Sequence, residues 1–272
     1  MMKYGVTKLK QKAYQYRKRF LDIFTEVGYG HLTSAFSWTE IATVLYHEIM
    51  QFPPYWDEAG DFDKMVISKG HSVGMLFPIF EDLGYFTEKE LMETIRVGGS
   101  NQKLRKLYYP GFDFYGGSLG IGLGVAAGLA KGAKLQKAAW KVYCLVGDAE
   151  CYEGSIWEAM NFAGHQQLDN LIVIVDRNFL GCSDFTEHML KLEPFKEKWL
   201  SCNWDVCEID GHDVRQVYEA LSEAGKPGHS KPQCIIAHTK KGKGLEYLVD
   251  RPLMHGYIPK GEEVKRAYES LQ

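Results

Sequence analysis

The sequence predicts an α/β fold built on a twisted, mostly parallel sheet with helices on both faces. Two apolar runs, one ending at Gly147-Asp148 and one at Asp176-Arg177-Asn178, enclose a segment with apolar residues at helical spacing. This pattern indicates a strand, a helix and a strand, and such a unit joins parallel strands through a right-handed crossover. With 272 residues and a 45% hydrophobic composition, the chain can bury a substantial core, so we expect residues 1–272 to form one domain.

The other elements follow from the same periodicities along the chain. Helices are expected where apolar residues recur every three or four positions, and strands where short apolar runs are bounded by turns. Loops are expected at 98–115 and, after the second central strand, up to position 193. The predicted helices are 5–27, 38–50, 73–83, a glycine-rich helix ending near 131, the helix between the central strands, 194–200, 214–224 and 261–271, and the further strands are 63–68, 204–209 and 233–239.

Composition and charge exclude several classes of function. The formal net charge of −3 gives no basic excess, so nucleic acid is not an implied partner. The chain has no apolar run near the roughly 20 residues that span a bilayer and no secretory apolar core near its start, so we expect no membrane association and a cytoplasmic protein. The six cysteines form no CxxC pair, and we expect them to be buried, reduced thiols.

Polar side chains follow the two central strands. Asp148 ends the first strand and Asn178 ends the second. Because ligands of open α/β sheets bind at the carboxyl ends of parallel strands, we expect these side chains to lie close together. A carboxylate, an amide oxygen and a nearby backbone carbonyl form a hard oxygen site, which suits Mg²⁺ or Ca²⁺ with a diphosphate completing the coordination.

The sequence segments around these two residues resemble motifs of a known family. A Gly-Asp followed about thirty residues later by Asn resembles the thiamine-diphosphate fingerprint, and the segments GDAECYEG, AGHQQLDNLIVIVD and EIDGHD resemble transketolase. The resemblance implies a thiamine-diphosphate-binding fold with a divalent cation, Mg²⁺ or Ca²⁺. It also implies that Asp148 and Asn178 are the side-chain metal ligands and that Leu180 contributes its main-chain carbonyl.

Two histidines lie in motifs similar to those of the same family. His31 lies in a Gly-His-x-x-Ser-Ala turn, and His71 lies in the segment SKGH. The matching histidines of the family reach the reactive carbon of the cofactor, the diphosphate and the donor sugar, so the resemblance implies catalytic roles for His31 and His71 and a cofactor contact for His71. A strand-to-helix turn with glycine also suits a phosphate on general grounds, because its backbone N–H groups are free.

The remaining cofactor contacts are implied by the resemblance alone. In the family, the glycine-rich loop lies against the thiamine pyrimidine, and the residue matching Leu119 touches the ring. Ala149 stands where the family usually has glycine, which costs little if the φ angle there is negative and about 1 kcal/mol if it is positive. The residues expected to contact the cofactor, besides His71, are Gly117, Ser118, Leu119, Gly147, Asp148, Ala149, Glu150, Glu153, Asn178, Lys241 and His255.

One part of the sequence departs from the family pattern. Transketolases usually carry a Gly-His-Pro in the loop that matches 98–115, but this chain has no histidine between His71 and His165. Lys103, Arg105 and Lys106 occupy the region instead, either as a solvated basic loop or as an anion contact. The missing histidine raises the hypothesis of an altered sugar specificity.

The resemblance implies an activity and a partner. It covers the whole chain but only the diphosphate-binding part of a full-length transketolase, since the pyrimidine-binding and C-terminal domains would follow position 272. We therefore expect transfer of a two-carbon glycolaldehyde unit from a ketose to an aldose, with sugars or sugar phosphates as substrates. A separate subunit would supply the pyrimidine domain in an α2β2 complex.

Two other interpretations stay open at this point. The α subunit of a 2-oxoacid dehydrogenase also carries the diphosphate half on its own chain, although it lacks GHxxSA, SKGH and the KGKG segment found here at 241–244 in this arrangement. A non-catalytic paralogue that binds a partner is the second alternative, because of Ala149 and the missing loop histidine.

Overall fold

The computed structural model describes residues 2–52, 60–96 and 111–271. Its centre is a sheet of six strands in the order β2-β1-β3-β4-β6-β5, and every neighbouring pair is parallel. The predicted parallel sheet is therefore confirmed. The strands are β1 Lys64–Ile67, β2 Phe114–Tyr115, β3 Val142–Gly147, β4 Leu171–Arg177, β5 Asp205–Asp210 and β6 Gln233–His238.

Helices cover both faces of the sheet, and each layer has its own apolar core. Alternate side chains of a strand point to opposite faces, so Leu145 packs in one core and Val146 in the other. The larger core also takes the apolar sides of the first helices of the chain. The helices are α1 Val6–Val27, α2 Leu32–Phe36, α3 Thr39–Val44, α4 Leu76–Asp82, α5 Glu88–Arg96, α6 Ile121–Gln136, α7 Gly154–His165, α8 Thr186–Met189, α9 Phe195–Ser201, α10 Val214–Ala224 and α11 Glu262–Ser270.

The predicted helices and strands are confirmed with changes at their ends, but the segment expected to be a loop up to position 193 contains the short helix α8. The single helix predicted over 38–50 is α3 followed by a π-helical turn, Leu45–Ile49. The helix predicted over 73–83 begins with a 3₁₀ turn, Gly70–Met75. Strand β2 lies inside a stretch that was expected to be a loop. It was not predicted because only its two residues pair with β1, and so short a strand shows no recurring pattern of apolar residues.

The cysteine prediction is partly wrong. All six cysteines are unpaired, and Cys144, Cys151 and Cys234 are buried as expected. Cys182 and Cys207 are exposed, because the first lies in a loop after β4 and the second lies on β5 at the sheet edge. In the part of the chain that the structure describes, none of the helices is long and apolar enough to cross a membrane.

The central pair of strands places the candidate site. β3 and β4 pair in register from Val142 opposite Leu171 to Gly147 opposite Asp176. Both strands therefore end at the same edge of the sheet, with Asp148 directly after one and Asn178 directly after the other. The arrangement expected from the strand-helix-strand pattern is confirmed.

Candidate active site at the carboxyl edge of the sheet

Asp148 and Asn178 lie together and are connected through the turn that follows β4. Asp148 is 1% exposed and Asn178 is 6% exposed. One carboxylate oxygen of Asp148, Oδ2, accepts a hydrogen bond of 2.6 Å from the Phe179 N–H, and Oδ1 accepts one of 2.7 Å from the Ala149 N–H. The amide oxygen of Asn178 accepts a hydrogen bond of 3.1 Å from the Leu180 N–H. The backbone of the turn thus fixes the direction of both oxygen-bearing side chains.

The negative charge of the buried Asp148 carboxylate is not fully compensated by its neighbours. Burial raises the pKa of Asp148 to about 6, Arg177 opposes this rise, and the neighbouring Asp176 adds to it. A buried carboxylate that is short of positive charge is a suitable ligand for a divalent ion. Among the described residues, no cluster of three or more His, Cys, Asp or Glu side chains is placed to hold a metal. Asp148 and Asn178 supply a carboxylate and an amide oxygen, and such donors fit a hard cation that also takes a backbone carbonyl and oxygens of a bound diphosphate.

Ala149 fits its position without strain. It begins a 3₁₀ turn, Ala149–Tyr152, and it does not belong to the residues with positive φ. Since an L-residue is penalised only at positive φ, the alanine in place of the usual glycine carries no backbone cost. The substitution therefore leaves the end of β3 able to present Asp148.

A buried ion pair that the sequence analysis did not single out connects this edge to the SKGH turn. Lys69 is 2% exposed and Asp176 is fully buried, and the Lys69 ammonium forms an ion pair with Asp176. Asp176 also accepts hydrogen bonds from the side chains of Ser37, Thr239 and Asn178. A charged residue ending an apolar strand and a lysine in the strand-to-helix turn were the available signals. Only the fold shows that they pair.

Three histidines form a cluster beside this ion pair. The ring centres of His31 and His71 are 5.2 Å apart, those of His31 and His255 are 5.0 Å apart, and those of His71 and His255 are 4.6 Å apart. His31 and His71 line a cavity of about 590 Å³, together with the Gly116-Gly117 backbone. The structure thus brings together His31, His71 and His255, and their roles at a cofactor or sugar stay a prediction.

Electrostatics keeps these imidazoles neutral. Burial first, and then the positive charges of Lys69 and Lys241, lower the pKa of His71 to about 2 and that of His255 to about 3. The pKa of His31 is also lowered, by burial first and then by Lys241. Neutral imidazoles can both donate and accept hydrogen bonds near pH 7, so the cluster can orient hydroxyl and carbonyl groups and exchange protons with them.

Lys241 determines which ring nitrogen of His255 carries the proton. Its ammonium donates to the Gly181 carbonyl at 2.9 Å and contacts Nδ1 of His255 at 3.1 Å. An ammonium can only donate, so Nδ1 is the acceptor and the proton of neutral His255 resides on Nε2. Burial, and then the charge of Lys69, lower the pKa of Lys241 to about 8, which leaves it mostly protonated at pH 7.

The loop that contains Lys241 is itself anchored by His212. Nδ1 of His212 lies 2.9 Å from the Glu40 carboxylate, and Nε2 accepts a hydrogen bond of 2.8 Å from the Lys240 N–H. The carboxylate of Glu40 is in turn bound by Arg17. The sequence analysis did not single out His212 as a site residue; in the structure it holds the residue before Lys241.

The glycine-rich loop packs against the SKGH turn. A side chain on Gly70 would collide with the carbonyl oxygen of Gly116, and one on Gly122 would come within 2.5 Å of Cα of Ser68. Close backbone approach therefore requires glycine at these positions. Gly117, Ser118 and Leu119 are exposed in this loop, and Gly117 lines the cavity.

The two predicted glutamates have different surroundings. Glu150 is buried, and its carboxylate accepts hydrogen bonds from the Ser68 hydroxyl, the Gly120 N–H and the Gly147 N–H. These contacts hold the glycine-rich loop against the end of β3. Glu153 is exposed. Direct contact of either residue with a cofactor stays a prediction. The basic segment that replaces the loop histidine, with Lys103, Arg105 and Lys106, lies outside the described residues.

The sequence of the chain matches a known family over nearly its whole length. Residues 9–271 match the family described as "Transketolase, thiamine diphosphate binding domain". The chain belongs to the transketolase family.

Two relatives and one solved structure show how much of a transketolase the chain covers. It is 35% identical over 270 residues to an apulose-4-phosphate transketolase subunit of Phocaeicola vulgatus, covering 98% of this chain and 94% of that protein. It is 34% identical over 271 residues to the transketolase of Pongo abelii, covering 97% of this chain but 42% of that protein. The crystal structure of Campylobacter jejuni transketolase superposes with a TM-score of 0.86 at 28% identity, over 98% of this chain and 43% of that one.

Proposed function

We propose that this chain is the diphosphate-binding subunit of a two-subunit transketolase, which transfers a two-carbon glycolaldehyde unit from a ketose donor to an aldose acceptor. The observation that carries the proposal is the joint placement of two kinds of group at one sheet edge. Asp148 and Asn178 present buried oxygens after adjacent parallel strands, and His31, His71 and His255 form a neutral cluster beside them. The first group suits a cation with a diphosphate, and the second suits a sugar.

The proposed cofactor is thiamine diphosphate with Mg²⁺ or Ca²⁺. Asp148, Asn178 and the main-chain carbonyl of Leu180 would hold the cation. His71, Lys241 and His255 would face the diphosphate and the donor, while the exposed loop Gly117–Leu119 would contact the organic part of the cofactor. Bound thiamine diphosphate supplies a nucleophilic carbon and an electron sink.

The residues of this chain would act on the sugar by orientation and proton exchange. His31 and His71 line the cavity as neutral imidazoles, so each can donate to a carbonyl oxygen or accept from a hydroxyl. His255 would present its Nε2–H, since Lys241 occupies Nδ1. The wall of the same cavity also includes the apolar rings of Phe24 and Phe77.

A partner subunit forms part of the proposal. The Phocaeicola vulgatus relative, which has nearly the same length, is named as one subunit of its transketolase, and the single-chain transketolase is more than twice as long. An apolar groove of about 540 Å³ between α6 and α7 supports a contact surface, because Ile121 and Phe162 are 48% and 45% exposed there. Exposed apolar patches of this kind mark interaction sites. We propose an α2β2 complex in which the second chain supplies the pyrimidine-binding domain.

Reconstitution tests the proposal. The full chain is mixed with a candidate pyrimidine-domain subunit, thiamine diphosphate and Mg²⁺, and turnover is measured with ketose donors and aldose acceptors, phosphorylated and not. Ketol transfer is expected. Decarboxylation of a 2-oxoacid would favour a dehydrogenase-type subunit instead, and binding of the partner without turnover would favour a non-catalytic paralogue.

A binding measurement tests the metal assignment separately. Asp148→Ala removes the buried carboxylate, so we expect calorimetry to show loss of metal-dependent thiamine diphosphate binding. Lys134→Ala, which removes an exposed ion pair with Asp169, is the control and should bind as the native chain does. Native affinity of the Asp148→Ala variant would contradict the assignment.

A further inference from the structure

Arg177 is a buried cation at the end of β4, next to the candidate metal site. Its side chain is completely shielded from solvent. One terminal nitrogen, Nη1, lies 3.3 Å from the Asp148 carboxylate and 2.8 Å from the Thr186 hydroxyl. The other, Nη2, donates at 2.8 Å to both Glu187 and Glu193. A single guanidinium therefore connects the end of β3 to the segment that follows the β4 turn.

The same guanidinium packs on Phe179, which lies in the chain between the proposed ligands Asn178 and Leu180. Phe179 has a φ angle of 62°, a left-handed conformation that is uncommon for a bulky residue and persists only where its surroundings hold it. The guanidinium carbon of Arg177 is 4.1 Å from the centre of the Phe179 ring. The Phe179 N–H donates to Asp148, and its carbonyl accepts from the Thr186 N–H at 2.9 Å.

The conformation of Phe179 determines where the next backbone groups point. The Asn178 side chain and the Leu180 peptide lie on either side of it, and the Leu180 N–H already fixes the Asn178 amide oxygen. A change of φ at Phe179 would rotate the Leu180 carbonyl away. Arg177 thus contacts Asp148 directly and, through Phe179, the turn that presents the other two oxygens.

We propose that Arg177 is a positioning residue that holds Asp148 and the turn 178–180 in the arrangement needed to bind the divalent cation. The inference rests on the proposed function, because it takes these groups as the ligands. Groups that orient metal ligands without touching the metal affect affinity strongly, and their loss weakens metal binding by about 10-fold to 100-fold. Arg177 is such a group, because it contacts the Asp148 carboxylate and is not itself one of the proposed ligands.

The planar fork of Arg177 matters separately from its charge. A positive charge beside a cation site by itself opposes cation binding, so removing the charge would mix two opposite effects. Arg177→Lys keeps the charge, but one ammonium on a flexible stem cannot reach the carboxylates on both sides and cover the Phe179 ring. This variant therefore isolates orientation from electrostatics.

The test is a calorimetric titration of Mg²⁺ into the full chain with saturating thiamine diphosphate, below the unfolding temperature of each variant. Arg177→Lys is expected to raise the Kd for Mg²⁺ by about 10-fold or more. Phe179→Leu removes the ring beneath the guanidinium but keeps its ion pairs, and we expect at least a threefold weaker affinity. Arg19→Lys breaks a comparable fork with Glu81 in the helical layer and should leave the Kd unchanged.

The remaining outcomes separate this inference from the proposed function. These outcomes apply once Asp148→Ala has been shown to lose Mg²⁺ binding. Native Mg²⁺ affinity in both Arg177→Lys and Phe179→Leu then overturns the inference. If Arg177→Lys does not fold, native affinity in Phe179→Leu alone overturns it. An equal loss in Glu187→Gln, which keeps the contact of Arg177 with Asp148, would also overturn it, because the segment 186–193 would then be the cause. Native affinity of Asp148→Ala would instead overturn the metal assignment on which the inference rests.

Discussion

The neutral state of His71 has a consequence for stability that can be measured. Burial first, and then Lys69 and the neighbouring histidines, lower its pKa from 6.5 to about 2 in the folded protein. A histidine of this kind takes up a proton more readily in the unfolded chain. Its contribution to stability is therefore fully present above pH 6.5 and is lost progressively as the pH falls below that value.

The size of the effect follows from the two pKa values. Between pH 7.5 and pH 5.5 the unfolded chain protonates this histidine while the folded chain does not, which lowers the free energy of unfolding by about 1.4 kcal/mol. In His71→Asn this contribution is absent. We therefore expect the free energy of unfolding of the native chain to fall by about 1.4 kcal/mol more than that of the variant over this interval.

Urea unfolding at pH 7.5, 6.5 and 5.5, without added thiamine diphosphate, measures the difference. Titrating groups remote from His71 affect both proteins alike and cancel in the comparison. His165→Asn, at an exposed position on α7, controls for the loss of a histidine elsewhere. If the native chain and His71→Asn lose the same free energy on acidification, His71 is not held neutral by its surroundings and the reasoning is wrong.

Two further substitutions test the packing around the site. Lys69→Met leaves the Asp176 carboxylate buried without its cation and should lower the free energy of unfolding by about 3 to 5 kcal/mol in urea, whereas Lys69→Met/Asp176→Leu should recover much of this loss; a loss below about 1 kcal/mol in the single variant would contradict a buried pair. Gly122→Ala would place a methyl group against Ser68 and should lower the Tm, at a cost of about 1 to 3 kcal/mol. Gly128→Ala, on an exposed and open part of α6, should raise the Tm, and a fall equal to that of Gly122→Ala would argue against the close approach.

Most of the fold could be predicted because its signals are local. Strand β3 and the first five residues of β4 form apolar runs, as expected for strands covered on both faces, and polar residues mark where each run ends. The helix α10 begins and ends where the sequence indicated, since Asp213 caps it and its apolar residues recur at helical spacing. By contrast, β2 depends on two residues pairing with β1, and that information is not local.

The candidate site was predictable where a motif implied a role. His31, His71 and His255 lie far apart in the chain, and the resemblance to transketolases assigned them to one site; the structure brings their rings together. The role of Arg177 could not be read in this way. A charged residue at the end of an apolar strand is ordinarily solvated, and nothing in its neighbours indicates that it is buried against Asp148.

The sequence by itself determined the class of fold, the two strands whose ends carry Asp148 and Asn178, and the family, because periodicity and motifs are properties of the chain alone. Tertiary structure decided which charges are buried together. The pairing of Lys69 with Asp176, the neutral state of the histidines and the position of Arg177 depend on the absence of water around groups from separate segments. Desolvation is a property of the packed protein, and only the packed protein reveals it.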